Sequence, residues 1–387
     1  MTTRYDVGLP ALGELLADSP SYRIRQVWDG LYRRRVDIDA MTELPKDLRA
    51  RLAAELPPAL ELAVERVSDG GDTVKQLWKL NDGRAIESVL MRYRDRVTVC
   101  VSTQAGCAMG CGFCATGQAG FDRHLTIGEI VEQVVRASQR LSEDGEGRVS
   151  NIVFMGMGEP LANYDNLWPA IERLQADVGI SARRITVSTI GIAPGIQRLA
   201  GERLPVNLAV SLHAANDALR NRLVPINRRY PLVRLAEACR AYLAAKHRRL
   251  SFEWALIDGV NDRRTDAAEL AAYARPLRAH VNLIPLNATP GWPTRGTSAE
   301  GVRAFRDRLV ELGINATIRR NRGTDIDAAC GQLRASVAIR KSPFAELADQ
   351  HGQVFVGADG AGEPLVRTDV RARPDHALVD LTFDDGS

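Results

Sequence analysis

Apolar residues in the first 66 positions recur at helical spacing. Ile24, Val27, Trp28 and Leu31 make one stripe, Arg25 and Arg33 to Arg35 fall mostly off it, and Pro57 and Pro58 break the pattern near its end. A small helical domain is predicted there, its arginine-rich face turned either to solvent, the commoner case, or to RNA. Alternation then takes over. Residues 73–80 and 84–91 read as a β-hairpin around Asn81, Asp82 and Gly83, because Asp-Gly suits a type I′ turn whose two central residues take φ > 0. Glu87 shares a face with Ala85, Val89 and Met91, which suits a charge on the rim of an edge strand or a working acid or base; the rim is the commoner case. From Val97 short β-branched runs alternate with amphipathic stretches. Strands are predicted at 97–102, 151–155, 184–188, 206–212, 250–256 and 281–285, and Thr126 with Glu129 makes a capping box at the start of one helix. Six such units predict an α/β chain built on a partial (β/α)6 barrel, incomplete beside the eight units of a full one. The predicted boundaries are 1–66 for the helical domain, 67–96 for the hairpin, 97–340 for the barrel with the loop that follows it, and 341–387 for a tail of little periodicity.

Unusual residues gather where the predicted strands end, the rim at which parallel barrels place their chemistry. After the first strand Cys107, Cys111 and Cys114 fall within eight residues, among Gly106, Gly110 and Gly112. A structural zinc site needs four ligands, and no second Cys or His pair of similar spacing follows; three thiolates around a [4Fe–4S] cluster leave one iron open. A zinc loop completed by a distant histidine stays as the alternative. Gly156, Gly158 and Glu159 follow the second strand, Ser188 ends the third, Ser211, Leu212 and His213 end the fourth, and Asn287 follows the sixth. Each of these alone is ordinary turn chemistry. Cys330, beside Gly331, is better placed for access than for packing, whereas Cys100, alternating with Val97 and Val99, and Cys239, within an amphipathic stretch, read as core thiols.

Composition narrows the class. The 387 residues are 45% hydrophobic and 26% charged, with six cysteines, which suits a soluble protein of a reducing cytoplasm. No apolar run predicts a membrane span. The net charge of +3 conceals an asymmetry, for positions 341–387 hold nine Asp or Glu against four Lys or Arg and the basic excess lies in the body. A basic body is the footprint of a nucleic-acid binder, and equally of plain solubility.

The three cysteines, with Phe113 before the last, resemble the signature of radical S-adenosylmethionine (SAM) enzymes, and Gly158 with Glu159 resembles their SAM-binding Gly-Glu motif. Together with Cys100, 156–161, 187–189, 211–214, 285–287 and 322–332, they closely resemble one subfamily, the dual-specificity ribosomal and transfer RNA adenine-C2 methyltransferases called RlmN, over about residues 22–340. The resemblance implies a [4Fe–4S] cluster on Cys107, Cys111 and Cys114, and two SAM per turnover. Gly158 and Glu159 would hold the SAM amino group, with Ser188, Ser211, Leu212, His213 and Asn287 bonding the rest of the cofactor. Cys330 would accept a methyl group from one SAM; a radical made from the second would turn it into a methylene that joins C2 of adenine. Glu87 would take the C2 proton, and Cys100 would attack the Cys330 sulfur, closing a disulfide and releasing the product. The implied partners are 23S rRNA near the peptidyl-transferase centre, tRNA beside the anticodon, and an electron donor such as flavodoxin or ferredoxin; a cytoplasmic monomer is expected. Rival readings are the sister activity at C8 of the ribosomal adenosine and a non-enzymatic iron–sulfur RNA-binding factor.

Overall fold

The alternation after Leu60 produces strands, and the helical stripes cover them. The structure, a computed structural model, describes residues 2–145, 147–287, 289, 295–329 and 331–333, and three short strands beyond. In chain order the helices of the main unit are α1 (Leu9–Leu15), α2 (Tyr22–Asp29), α3 (Lys46–Glu55), α4 (Ala115–Gln118), α5 (Ile127–Glu143), α6 (Tyr164–Ala176), α7 (Ala193–Gly201), α8 (Asp217–Leu223), α9 (Leu232–Lys246), α10 (Arg264–Ala274) and α11 (Ala299–Glu311). Its strands are β1 (Leu60–Ser68), β2 (Thr73–Leu80), β3 (Ala85–Tyr93), β4 (Arg96–Cys100), β5 (Gln104–Gly106), β6 (Phe121–His124), β7 (Asn151–Phe154), β8 (Ile185–Thr189), β9 (Asn207–Ser211), β10 (Leu250–Leu256), β11 (His280–Pro285) and β12 (Ala316–Ile318).

Ten of these strands form one sheet in the order β1-β2-β3-β4-β7-β8-β9-β10-β11-β12, with β1 to β4 antiparallel and every later pairing parallel. The order is open, with β1 and β12 as its edges, so the barrel is partial as expected. Near-continuous apolar runs such as Phe252 and Trp254 to Leu256 on β10 are buried, which is what a parallel strand covered by helices requires. The capping box on α5 is present in both directions: Thr126 Oγ1 accepts from the Glu129 N–H (3.2 Å) and Glu129 Oε2 from the Thr126 N–H (2.9 Å).

Three local readings change. The predicted hairpin is no separate element but the antiparallel continuation of the barrel sheet. Its connection is not type I′: Leu80 and Gly83 share a turn bond (2.9 Å) and only Gly83 takes positive φ (83°), so three residues with glycine at the left-handed position make the turn. β1 begins at Leu60, inside the stretch read as helical. As an edge strand it leaves Leu62, Val64 and Val67 exposed, so no alternating burial marked it in the sequence. Of the N-terminal stripe, Val27 and Leu31 are buried, and Trp28 Nε1 donates to Asp177 Oδ1 (3.0 Å) just beyond α6, tying the helical part to the barrel. Arg33 is exposed and faces Asp29 (3.4 Å), and Arg34 pairs with Glu43.

Residues 336–387 form a second unit, in which Gln353–Phe355, Arg367–Asp369 and Asp380–Thr382 pair antiparallel. The rest of the expected acidic tail lies outside the described residues. No helix among the described residues is long and apolar enough to cross a membrane.

Because the Thr126 cap serves a helix laid over the first parallel strands, Thr126→Ala should lower the unfolding free energy by about 1 kcal/mol while Thr126→Ser retains most of it. Urea denaturation of the two variants checks this.

Candidate active site

The cysteine loop hangs between β5 and β6, which pair antiparallel apart from the main sheet. Gly106 closes its neck with φ of 77°; a Cβ there would strike the carbonyl oxygen of Gly120, which accepts the Cys107 N–H at 2.7 Å. Gly110 also takes positive φ, whereas Gly112 does not. Cys107, Cys111 and Cys114 line one cavity that opens to solvent at the carboxyl ends of the parallel strands. Burial pushes the Cys107 thiol up to about 12 and Cys111 well above the usual range. Among the described residues no three Cys, His, Asp or Glu side chains are grouped to hold a single metal ion.

Gly158, Glu159, Ser188, Ser211 and His213 line the same cavity. Gly158 has φ of 98°, and a Cβ on it would come within 2.5 Å of Gln104 Cβ, so the backbone passes where no other residue fits. Glu159 is fully enclosed: Oε1 accepts from the Leu161 N–H (2.9 Å) and Oε2 from the Ile190 N–H (2.7 Å), while burial raises its carboxyl to about 7 against those bonds. His213 sits in the left-handed region (φ 58°), its Nδ1 accepts from the Ala255 N–H (3.0 Å), and its ring meets Phe113 edge-on. Nδ1 therefore carries no proton, and burial, followed by the charge of Arg220, lowers its pKa to about 3.

Leu212 and Asn287 do not line this cavity. The Leu212 side chain is buried in the core and its backbone is engaged by Glu253 and Arg220, whereas Asn287 Oδ1 accepts from Asn321 (2.7 Å). Glu253 does line it, buried on β10, with Oε1 held by Asn282 (2.9 Å) and Oε2 without a hydrogen-bond partner among the described residues. Sequence reasoning passed over Glu253, whose signal was a lone carboxylate within an apolar barrel strand.

Glu87 is not on a rim. β3 lies between β2 and β4, and the side chain is 2% exposed and paired with Lys75 Nζ (3.1 Å). Hairpin register puts Leu77 opposite Glu87 and Lys75 opposite Val89, so both charged residues share one face, a pair the type I′ reading of the turn did not anticipate. Lys75 Nζ also donates to the Asp327 carbonyl (3.2 Å). Around it the turn between β1 and β2 grips the same loop: Asp69 Oδ2 accepts from the Gly323 N–H (3.0 Å), Ser68 bonds Asp325, and Arg322 lies over the Tyr93 ring. Further on, the Ala115 N–H donates to the Gly331 carbonyl (2.7 Å) and Thr116 Oγ1 to that of Leu333 (2.5 Å), both just after the cysteine loop. The chain is thus tied to the hairpin before residue 330 and to the cysteine loop after it, while Cys330 itself lies outside the described residues. Cys100 ends β4 as a buried thiol opposite Val89 of β3.

Comparison with known proteins agrees with this geometry. Residues 101–271 match the model of the radical SAM superfamily. A probable dual-specificity RNA methyltransferase RlmN of Chloroflexus aurantiacus is 51% identical over 345 residues, covering 85% of this chain and 92% of that one. The dual-specificity RNA methyltransferase RlmN 1 of Myxococcus xanthus is 48% identical, covering 87% and 95%. The crystal structure of a radical SAM methyltransferase from Sphaerobacter thermophilus superposes with a TM-score of 0.84 at 52% identity, covering 87% of this chain and all of that one. Radical SAM enzymes carry a [4Fe–4S] cluster and bind SAM, and the donor set lining the cavity, three thiols together with Gly158 and Glu159, suits both. By sequence, fold and site, the chain belongs to the RlmN family of dual-specificity RNA methyltransferases, radical SAM enzymes.

Proposed function

We propose that this enzyme methylates C2 of an adenosine in 23S rRNA and in tRNA through an S-methyl group on Cys330. The observation that carries this reading is the convergence on one loop: the Glu87–Lys75 pair is bound to it before residue 330, and the exit of the cysteine loop is bound to it after. When bound, cluster and SAM supply the methyl group and the one-electron chemistry that an adenine carbon without a lone pair requires. Cys107, Cys111 and Cys114 hold the cluster, and Gly158 and Glu159 receive the SAM amino group. Ser188, Ser211 and His213 orient the remainder, and Asn287 and Leu212 act, if at all, from outside the cavity wall.

Cys330 carries the methyl carbon. Glu87, enclosed by the sheet and held in place by Lys75, takes the C2 proton as a positioned base. The Cys100 thiolate then attacks the Cys330 sulfur; the bond from that sulfur to the methylene carbon breaks as the disulfide forms, and a proton taken up by the released carbon completes the methyl group on the RNA. The base must leave its stack to reach a recessed cavity, so unpaired or flipped adenosine is the form taken. Flavodoxin or ferredoxin provides the electron. Mass spectrometry of digested 23S rRNA and tRNA after reaction decides the assignment: C2-methyladenosine supports it, and C8-methyladenosine or unmodified RNA overturns it.

The two distant cysteines should fail differently. Cys100→Ala leaves every step up to carbon–carbon bond formation intact, so a denaturing gel should show enzyme joined to RNA through Cys330. Cys330→Ala should give no joined species. Normal turnover by Cys100→Ala would remove it from the mechanism.

Glu159 makes SAM binding depend on pH. Its pKa is raised, so the carboxyl is neutral below about 7, and a neutral carboxyl accepts poorly from an amino group. SAM affinity of the reconstituted protein should therefore weaken as pH falls through about 7. Calorimetric titration should find Glu159→Gln weak at every pH, with this dependence gone.

A further inference from the structure

Arg220 stands on α8, fully buried, and among the described residues no carboxylate forms a salt bridge with it. Its guanidinium is instead spread over the ends of two barrel strands. Nε donates to the Leu212 carbonyl (3.0 Å), Nη2 to those of Ile190 (2.5 Å) and Ser211 (3.3 Å), and Nη1 to Asn227 Oδ1 (2.7 Å). Asn227 in turn donates to Asp217 Oδ1 (2.8 Å), an exposed carboxylate whose charge also acts on the guanidinium without forming a salt bridge. Gly191, with φ of 117°, makes the room, for a Cβ there would lie 3.2 Å from Nη2.

A buried cation without an adjacent anion is costly, and carbonyl dipoles compensate only part of the lost hydration. Its place in the fold supplies the missing anion. Leu219 and Leu223, on either side of Arg220 in α8, pack in one buried cluster with Cys111 and Phe113, so the helix lies against the cysteine loop. Ile190 and Ser211, whose carbonyls it holds, line the cavity with the three thiols. Burial and the neighbouring Cys107 and Cys114 push the Cys111 thiol up, and the guanidinium pulls it the other way.

We propose that Arg220 is the electrostatic counterpart of the iron–sulfur cluster: its fixed positive charge offsets that of the thiolate-bound core and holds the reduction potential above the value of a neutral site. The core with three thiolates is anionic and becomes more so when it takes an electron. A buried cation beside it therefore favours the reduced form, which SAM cleavage needs. Arg220 touches neither substrate nor the reacting atoms by this account; it is a positioning residue that also tunes potential. The proposal rests on the cluster being held by Cys107, Cys111 and Cys114.

The test is a spectroscopic redox titration of anaerobically reconstituted full-length protein without RNA. Arg220→Gln and Arg220→Met should bind iron as wild type does and show a midpoint potential shifted to more negative values. Arg220→Lys, which keeps the charge and loses the fork, should melt at a lower temperature yet keep a midpoint near that of wild type. A purely structural arginine would lower the melting temperature in all three and leave every midpoint unchanged, which overturns the proposal. An Arg220→Lys midpoint shifted well below wild type, although the charge is retained, overturns it too, so the charge-retaining variant keeps the proposal falsifiable should the neutral ones not fold. Wild-type protein that takes up no iron–sulfur cluster would point to failure of the site assignment instead.

Discussion

Three thiols, a carboxyl and a guanidinium all lose their water at one end of the parallel sheet, and each must be given a partner by the protein or by what binds there. Thr126 and Glu129 satisfy one another, and Glu87 has Lys75, but among the described residues no salt bridge reaches the buried Arg220, and the half-buried Cys107 and buried Cys111 are free thiols. Burial raises the Cys107 and Cys111 thiols and the Glu159 carboxyl and lowers Arg220 to about 10, all toward the neutral form. The rest of the fold serves to hold these groups together at one end of the sheet.

Two supports do the holding. One is the open barrel, whose strand ends are fastened by Arg220 on β8 and β9 and by Glu159 across to Ile190. The other is the hairpin, which continues the barrel sheet past β4 and grips the loop of residues 322–327 through Asp69, Ser68 and Lys75. The hairpin therefore holds the Glu87–Lys75 pair and the loop of residues 322–327 beside the barrel sheet.

Much of the fold was legible along the chain. The parallel strands appear within one or two residues of where β-branched runs predicted them, the α5 capping box is present, and the strand-end residues Ser188, Ser211, His213, Gly158 and Glu159 meet at one cavity. The edge strand β1 was not legible, because a strand exposed on both faces carries no alternation. Nor was the turn type, since Asp-Gly serves a three-residue turn with one positive φ as readily as type I′.

The sequence by itself determined the chemistry on offer: three thiols at fixed spacing, a Gly-Glu turn and a period of strands and helices, all local properties that a chain carries in its order of residues. Tertiary structure alone decided which charges meet. Lys75 reaches Asp327 across 252 positions, Ser68 reaches Asp325 across 257, and Arg220 reaches the strand ends beside the cysteine loop. Whether Glu87 is a rim charge or an enclosed one depended on a neighbour, β4, that no local pattern assigns to it. The physical reason is that desolvation and pairing are set by what packs against a group, and periodicity reports only which way a side chain faces.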